Sequence, residues 1–220
     1  MNQEYLDATG TARAVAEVLP DQDGEVRILP HGDSYYTMED TSTGKVIVFG
    51  FVDLAADLRS LRDQEAEVVV LCHSHGCVWA HTALQVVDDL DFAALIDLDA
   101  ESIGWEDDTL TGGVGDEWAS VIAEDDRNWP FDIGWAANAW DVPGLPELQD
   151  VEDVVPASVG VNLEVASDDW TFIQDAEPNH FGDGSSLDIH FFQSSGAHED
   201  VDDLGSDAMQ WVTDTLPAAL

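Results

Sequence analysis

The stretch Val68-Val69-Val70-Leu71-Cys72-His73-Ser74-His75-Gly76-Cys77 sets a serine between an apolar run and a helical pattern that begins at once. Four apolar residues rise into a short polar turn, and residues 77–90 continue with helical apolar spacing. This reads as a buried strand, a sharp turn and a helix, with Ser74 at the apex. A hydroxyl there stands clear of the sheet, and the first N–H groups of the helix point at charge developing beside it. The chemistry that fits is attack on a carbonyl carbon. A serine hydroxyl is a weak nucleophile until a base takes its proton, and the base must be held by an acid. Two backbone donors must also face the oxyanion, and losing one typically costs ~3 kcal/mol. The turn calls for small residues around the serine. Gly76 is small, and Cys72 stands on the other side.

The same stretch offers a second chemistry. Cys72, His73, His75 and Cys77 are all metal-ligand types within six residues. Zinc sites ordinarily join one such pair to a second, distant pair. No second pair of cysteines exists, and a strand-turn-helix sends these side chains in different directions, so no metal and no cofactor are expected. For the same reason Cys72 and Cys77 are not expected to form a disulfide. Nothing in two cysteines suggests an oxidising compartment.

The elements around the serine follow from periodicity. Thr11 to Val18 is a short Ala/Val-rich helix ended by Pro20, and Val26 to Leu29 a short strand. Lys45 to Phe49 reads as a buried strand closed by Gly50. Val52 to Leu61 has apolar residues at helical spacing, Glu67 to Cys72 is the strand before the serine, and Phe92 to Leu98 is another buried strand. Residues 45–98 thus read strand, helix, strand, helix, strand. Short connections and near-continuous apolar strands argue for a parallel sheet with helices on its faces. Residues 102–155 break the rhythm. They hold Trp105, Trp118, Trp129, Trp135 and Trp140, five of the eight tryptophans, and read as an inserted cap or lid. Ser158 to Ala166 and Leu187 to Phe192 are further strands, and Asp203 to Leu216 a last helix.

His73-Ser74-His75-Gly76 resembles the G-H-S-x-G nucleophile elbow of the α/β-hydrolase superfamily, with Cys72 in place of its first glycine. The resemblance spans residues 45–98 and 158–216. It implies the chain order serine, acid, histidine, with the histidine in the loop between the last strand and the last helix. His198, in Ser194-Ser195-Gly196-Ala197-His198, occupies that place; His190 and His180 fit it less well. The acid should follow a strand between Ser74 and His198. Asp169, after the Ser158 to Ala166 strand, ranks first, then Asp99 in Asp97-Leu98-Asp99-Ala100, then Asp168. Phe49-Gly50-Phe51 is similar to the family's His-Gly-Phe turn, with Phe49 replacing the histidine. That implies an oxyanion hole made by the N–H groups of Phe51 and His75. Only 23 positions separate Phe51 from Ser74, room for one helix where the full family fold has a further strand and helix. The expected fold is therefore α/β: a trimmed, hydrolase-like, mostly parallel sheet of about six strands, near the typical size.

The chain has 220 residues, enough for one domain with a sizeable core. It carries 47 Asp plus Glu against 6 Lys plus Arg, a net charge of −41, spread along the whole length. With 45% hydrophobic residues and eight tryptophans this is a folded acidic protein, not a disordered tail. Such a surface repels itself unless salt screens it, and molar salt shortens the Debye length to roughly 3 Å. The scarcity of lysine resembles proteins of extreme halophiles or their viruses. Nucleic acid and anionic membranes are poor partners. The N-terminus has no apolar core of a signal peptide, and no run approaches the ~20 apolar residues of a membrane span. A high-salt cytosol, or a virion assembled in one, is the expected location. The expected activity is hydrolysis of a carboxylic ester or lipid-like acyl substrate by a Ser-His-Asp triad. The competing expectation is a catalytically silent module on the same fold.

Overall fold

Valine, isoleucine and leucine runs buried on both faces build the centre of the molecule. The computed structural model describes residues 5–20, 26–31, 39–40, 45–46, 51–62, 64, 66–74, 76–87, 90–100, 154–168, 178–181 and 185–220. In chain order these form α1 (Tyr5–Ala8), α2 (Thr11–Val18), β1 (Glu39–Asp40), β2 (Lys45–Val46), α3 (Phe51–Arg62), β3 (Val69–His73) and α4 (Gly76–Val86). There follow β4 (Phe92–Leu98), β5 (Val154–Val155), β6 (Val159–Ala166), β7 (His180–Phe181), β8 (Ile189–Gln193), a 3-10 turn at His198–Asp200 and α5 (Asp207–Ala219).

The main sheet has the order β3-β4-β6-β8, and all its pairings are parallel. β4 and β6 lie in the middle and are buried almost throughout, whereas β8 is an edge with His190 and Phe191 exposed. This is why the central strands read as unbroken apolar runs.

Strand alternation sorts the core into two layers. Val70, Cys72 and Leu95 pack with Ala55, Leu58, Cys77, Trp79, Ala83 and Leu84, joining the sheet to α3 and α4. Ala94, Ile96, Leu98, Leu163 and Val165 pack on the opposite face with Val15 of α2 and Met209, Val212 and Leu216 of α5. Each fully buried leucine contributes about 1.5–3 kcal/mol relative to exposure. α5 starts cleanly because the Ser206 hydroxyl accepts the Met209 N–H at 3.0 Å, capping one of the unpaired donors of its first turn. At the other end of the chain the Thr11 hydroxyl donates to the Asp202 carbonyl at 2.7 Å, tying α2 to the segment before α5.

The general α/β architecture therefore agrees with the sequence, and several details differ. The main sheet has four strands among the described residues, against the expected six or so. Lys45–Val46 pairs with Glu39–Asp40 in a separate antiparallel ladder, and residues 47–50, the rest of that expected strand, lie outside the described residues. Val26 to Leu29 forms no strand: Val26 and Leu29 are 44% and 43% exposed, and no ladder among the described residues takes them in. The last helix begins at Asp207 rather than Asp203, because residues 203–206 close a turn in which the Ser206 N–H donates to the Asp203 carbonyl. The Trp-rich insertion lies outside the described residues, save for Val154–Val155, which pairs with His180–Phe181. No helix among the described residues is long and apolar enough to cross a membrane.

Candidate active site

β3 ends at His73, and the next residue, Ser74, takes φ 55°, in the left-handed region that side chains rarely adopt. Its N–H donates to the Leu98 carbonyl at 3.1 Å, and its carbonyl accepts the Cys77 N–H at 2.9 Å. One residue is thus bonded both to the neighbouring strand and to the first turn of α4. The sharp reversal leaves the hydroxyl half-buried at the C-terminal edge of the sheet. Holding a serine there costs of order 1–3 kcal/mol, which the surrounding ladder and core must offset.

The loop after β8 returns over this edge. It is pinned from both sides. The Ser194 N–H donates to the Ala166 carbonyl at 2.8 Å, and the Asp168 N–H donates to the Gly196 carbonyl at 3.0 Å. From α5, Asp207 accepts the Ser194 hydroxyl at 2.5 Å, the Ser195 hydroxyl at 2.6 Å and the Ser195 N–H at 3.0 Å. These bonds, those of Ser194 first, hold the Asp207 carboxyl down at about 2. His198 follows, with its Nε2 2.8 Å from the Ser74 Oγ and its Nδ1 2.6 Å from the Asp99 Oδ2.

Asp99 repeats the trick of Ser74. It follows β4 directly, takes φ 48° and is 2% exposed. Its N–H donates to the Val165 carbonyl at 2.7 Å, and its Oδ1 accepts the Ser167 N–H at 2.6 Å. Burial works to raise its pKa. The hydrogen bonds from His198 and Ser167 outweigh burial and hold the carboxyl below its ordinary range. An ionised Asp99 fixes the hydrogen of His198 on Nδ1, which leaves Nε2 free to accept the proton of Ser74.

His73 completes the arrangement. Its Nε2 donates to the backbone carbonyl of His198 at 3.0 Å, and the two rings stack with centroids 5.0 Å apart. Burial lowers its pKa, partly countered by that bond and by the charges of Asp202 and Asp99.

Ser74 and His198, expected from the sequence, are brought together. Of the two candidate acids among the described residues, Asp99 is the one that meets His198. Asp168 is exposed and, among the described residues, is held by its backbone N–H, and Asp169 lies outside the described residues. The second-ranked carboxylate occupies the His198 Nδ1 edge because the left-handed turn at residue 99 aims it across the strand ends. Phe51 is the first residue of α3, and His75 lies outside the described residues. Gly76 proves less constrained than expected: a Cβ there would meet no described atom within 4 Å. Sequence reasoning missed His73, Ser167 and Asp207 as supports of His198.

The expectation for the cysteines is corrected outright. Cys72 and Cys77 form a disulfide with Cα atoms 4.9 Å apart, inside the ordinary range for such a bond. The left-handed residue between them turns the helix start back onto the strand end. Compared with family models, curated proteins and solved structures, the chain matches none of them.

Proposed function

We propose that this protein is a serine hydrolase acting on carboxylic esters or lipid-like acyl groups, with Ser74 as nucleophile, His198 as base and Asp99 as the acid that orients it. The observation that carries the reading is the continuous relay of Ser74 Oγ, His198 Nε2 at 2.8 Å, His198 Nδ1 and Asp99 Oδ2 at 2.6 Å. A hydroxyl in reach of an imidazole that is itself held by a buried carboxylate is the arrangement that activates serine.

In the proposed reaction the Ser74 Oγ attacks the acyl carbon as its proton passes to His198 Nε2. The oxyanion is met by the N–H groups of Phe51 and His75. His198 returns the proton to the leaving alcohol, which gives an acyl-Ser74 ester. Water, deprotonated by the same His198 nitrogen, then releases the acid. The hydrolase-like fold, the Trp-rich segment 102–155 as a cap over an acyl pocket, and a high-salt cytosol or a virion as the place of work belong to the same reading. The scarcity of cations, 6 Lys plus Arg in the chain, speaks against a strongly anionic substrate.

The test is labelling with a fluorophosphonate probe in multi-molar KCl, comparing wild type with Ser74→Ala. Labelling that disappears in the variant is expected. A folded wild-type protein that takes no label would turn the reading to a catalytically silent module.

A further inference from the structure

On the other face of β3, away from His198, lies a polar cluster that the proposed hydrolysis does not use. Cys72 faces α4 there, and Asp97 is its register partner on β4. On α4, Cys77 and His81 are four residues apart and so share one side of the helix. All four are buried, His81 and Asp97 completely. The two sulfurs and a carboxylate oxygen lie within 4.8 Å of one another. Asp97 Oδ1 is 2.9 Å from Cys72 Sγ and 3.0 Å from His81 Nε2.

The outer partners of these groups are those of a ligand set. His81 Nδ1 faces the Val154 carbonyl at 3.3 Å, and a carbonyl only accepts, so the ring hydrogen belongs on Nδ1. Nε2 of the same ring pairs with Asp97 Oδ1 at 3.0 Å. This buried hydrogen-bonded contact holds a proton between two ligand-type atoms, the place a metal ion would take with release of that proton. Asp97 Oδ2, meanwhile, accepts from Asn162 Nδ2 at 2.6 Å and Asn179 Nδ2 at 3.0 Å, which fixes the carboxylate and leaves Oδ1 toward the cysteines. Ligating histidines and carboxylates are oriented in this manner.

We propose that, with its cysteines reduced, the chain binds one zinc-type divalent ion through Cys72, Cys77, His81 and Asp97. The disulfide and the metal are alternative closures of the same elbow. Two ligands come from neighbouring strands and two from one side of a helix, and two thiolates, one imidazole and one carboxylate suit tetrahedral zinc. Four protein ligands leave no open position, so the site is structural and braces the turn that carries Ser74. In the reduction a phosphine and one water supply two electrons and two protons to the S–S bond. It becomes two thiols, and the phosphine leaves as its oxide. The metal then displaces the thiol protons, and the proton between His81 and Asp97, to solvent.

The experiment is a titration of the full chain with Co²⁺ in molar KCl, before and after phosphine reduction. The reduced protein is expected to take one equivalent, with a thiolate-to-cobalt charge-transfer band and the visible bands of a tetrahedral site, and to release it to one equivalent of Zn²⁺. The oxidised protein is expected to bind none. Asn179→Ala should weaken affinity ~10–100-fold by freeing the carboxylate, while His190→Asn, on the exposed edge strand, should not change it. A reduced wild-type protein that keeps its circular dichroism and shows no charge-transfer band would overturn the proposal. So would a band that survives replacement of both cysteines by serine. Neither result depends on hydrolysis, so this site and the proposed activity fail separately.

Discussion

Ser74 and Asp99 are the next residues beyond a register pair, His73 and Leu98, at the ends of adjacent parallel strands, and both turn left-handed. The chain makes the same unusual bend twice, side by side. One bend lifts a hydroxyl off the sheet edge, and the other aims a carboxylate along it. His198 bridges the two from a loop that enters from the far strand.

The first prediction concerns which carboxylate serves the histidine. Asp99→Asn removes the charge that fixes the tautomer of His198, and kcat for a model ester should fall ~10³–10⁴-fold with the fold retained. Asp168→Asn should leave kcat near wild type, because among the described residues it is the backbone of that exposed residue that is engaged. A loss carried by Asp169→Asn instead would show the acid misassigned.

His73 yields a prediction about pH. Its pKa is lowered in the folded chain below the ordinary 6.5, chiefly by burial. The unfolded chain therefore binds the proton more readily. Stability is fully present above pH 6.5 on this account and declines as pH falls below it toward the folded value. His73→Phe should flatten that part of the profile in urea unfolding at constant KCl. The same variant frees the carbonyl of His198, so kcat should drop more than KM changes. An unaltered pH profile would mean the ring contributes packing alone.

The helix of Thr11 to Val18 and the strand of Phe92 to Leu98 stand where periodicity puts them, and the turn at Ser74 was legible because an apolar run meets a helical pattern there. Asp99 was harder to see. It is one of 47 acidic residues, and what distinguishes it is burial and a positive φ, which appear only once β4 is seated between β3 and β6. The Cys72–Cys77 bond was missed for a related reason. A strand followed by a helix separates two such side chains unless the residue between them bends left-handed. His73 lies next to the serine in sequence, yet its task depends on a loop 125 residues away.

Asp207 connects the stability of that loop to the proposed catalysis. Its three bonds to Ser194 and Ser195 hold its pKa at about 2, against an ordinary 3.8. The folded form therefore favours the carboxylate. This stabilisation is present above pH 3.8 and is lost as pH falls toward 2. Because the group faces solvent, the loss should be small in global stability. Its effect should be local: Asp207→Ala is expected to lower kcat by loosening the strap that presents His198, with little change in the melting temperature. Proteolysis within residues 194–200, measured alongside kcat, checks this. A variant with wild-type kcat would show that the bonds to Ala166 and Asp168 suffice.

The last prediction follows from the net charge of −41. At low salt the Debye length is ~10 Å at 0.1 M, so carboxylates on neighbouring elements repel across the surface. At 1 M it is roughly 3 Å, and most of that repulsion is gone. The urea midpoint should therefore rise most steeply below 1 M KCl and more gently above it, because further salt has little Coulomb energy left to screen. An equal osmolality of sucrose leaves the charges unscreened and should not reproduce the steep part. Equal stabilisation by sucrose would show that excluded solute, rather than charge, governs this fold. A midpoint insensitive to KCl would show that the acidic surface is already spaced widely enough to stand alone.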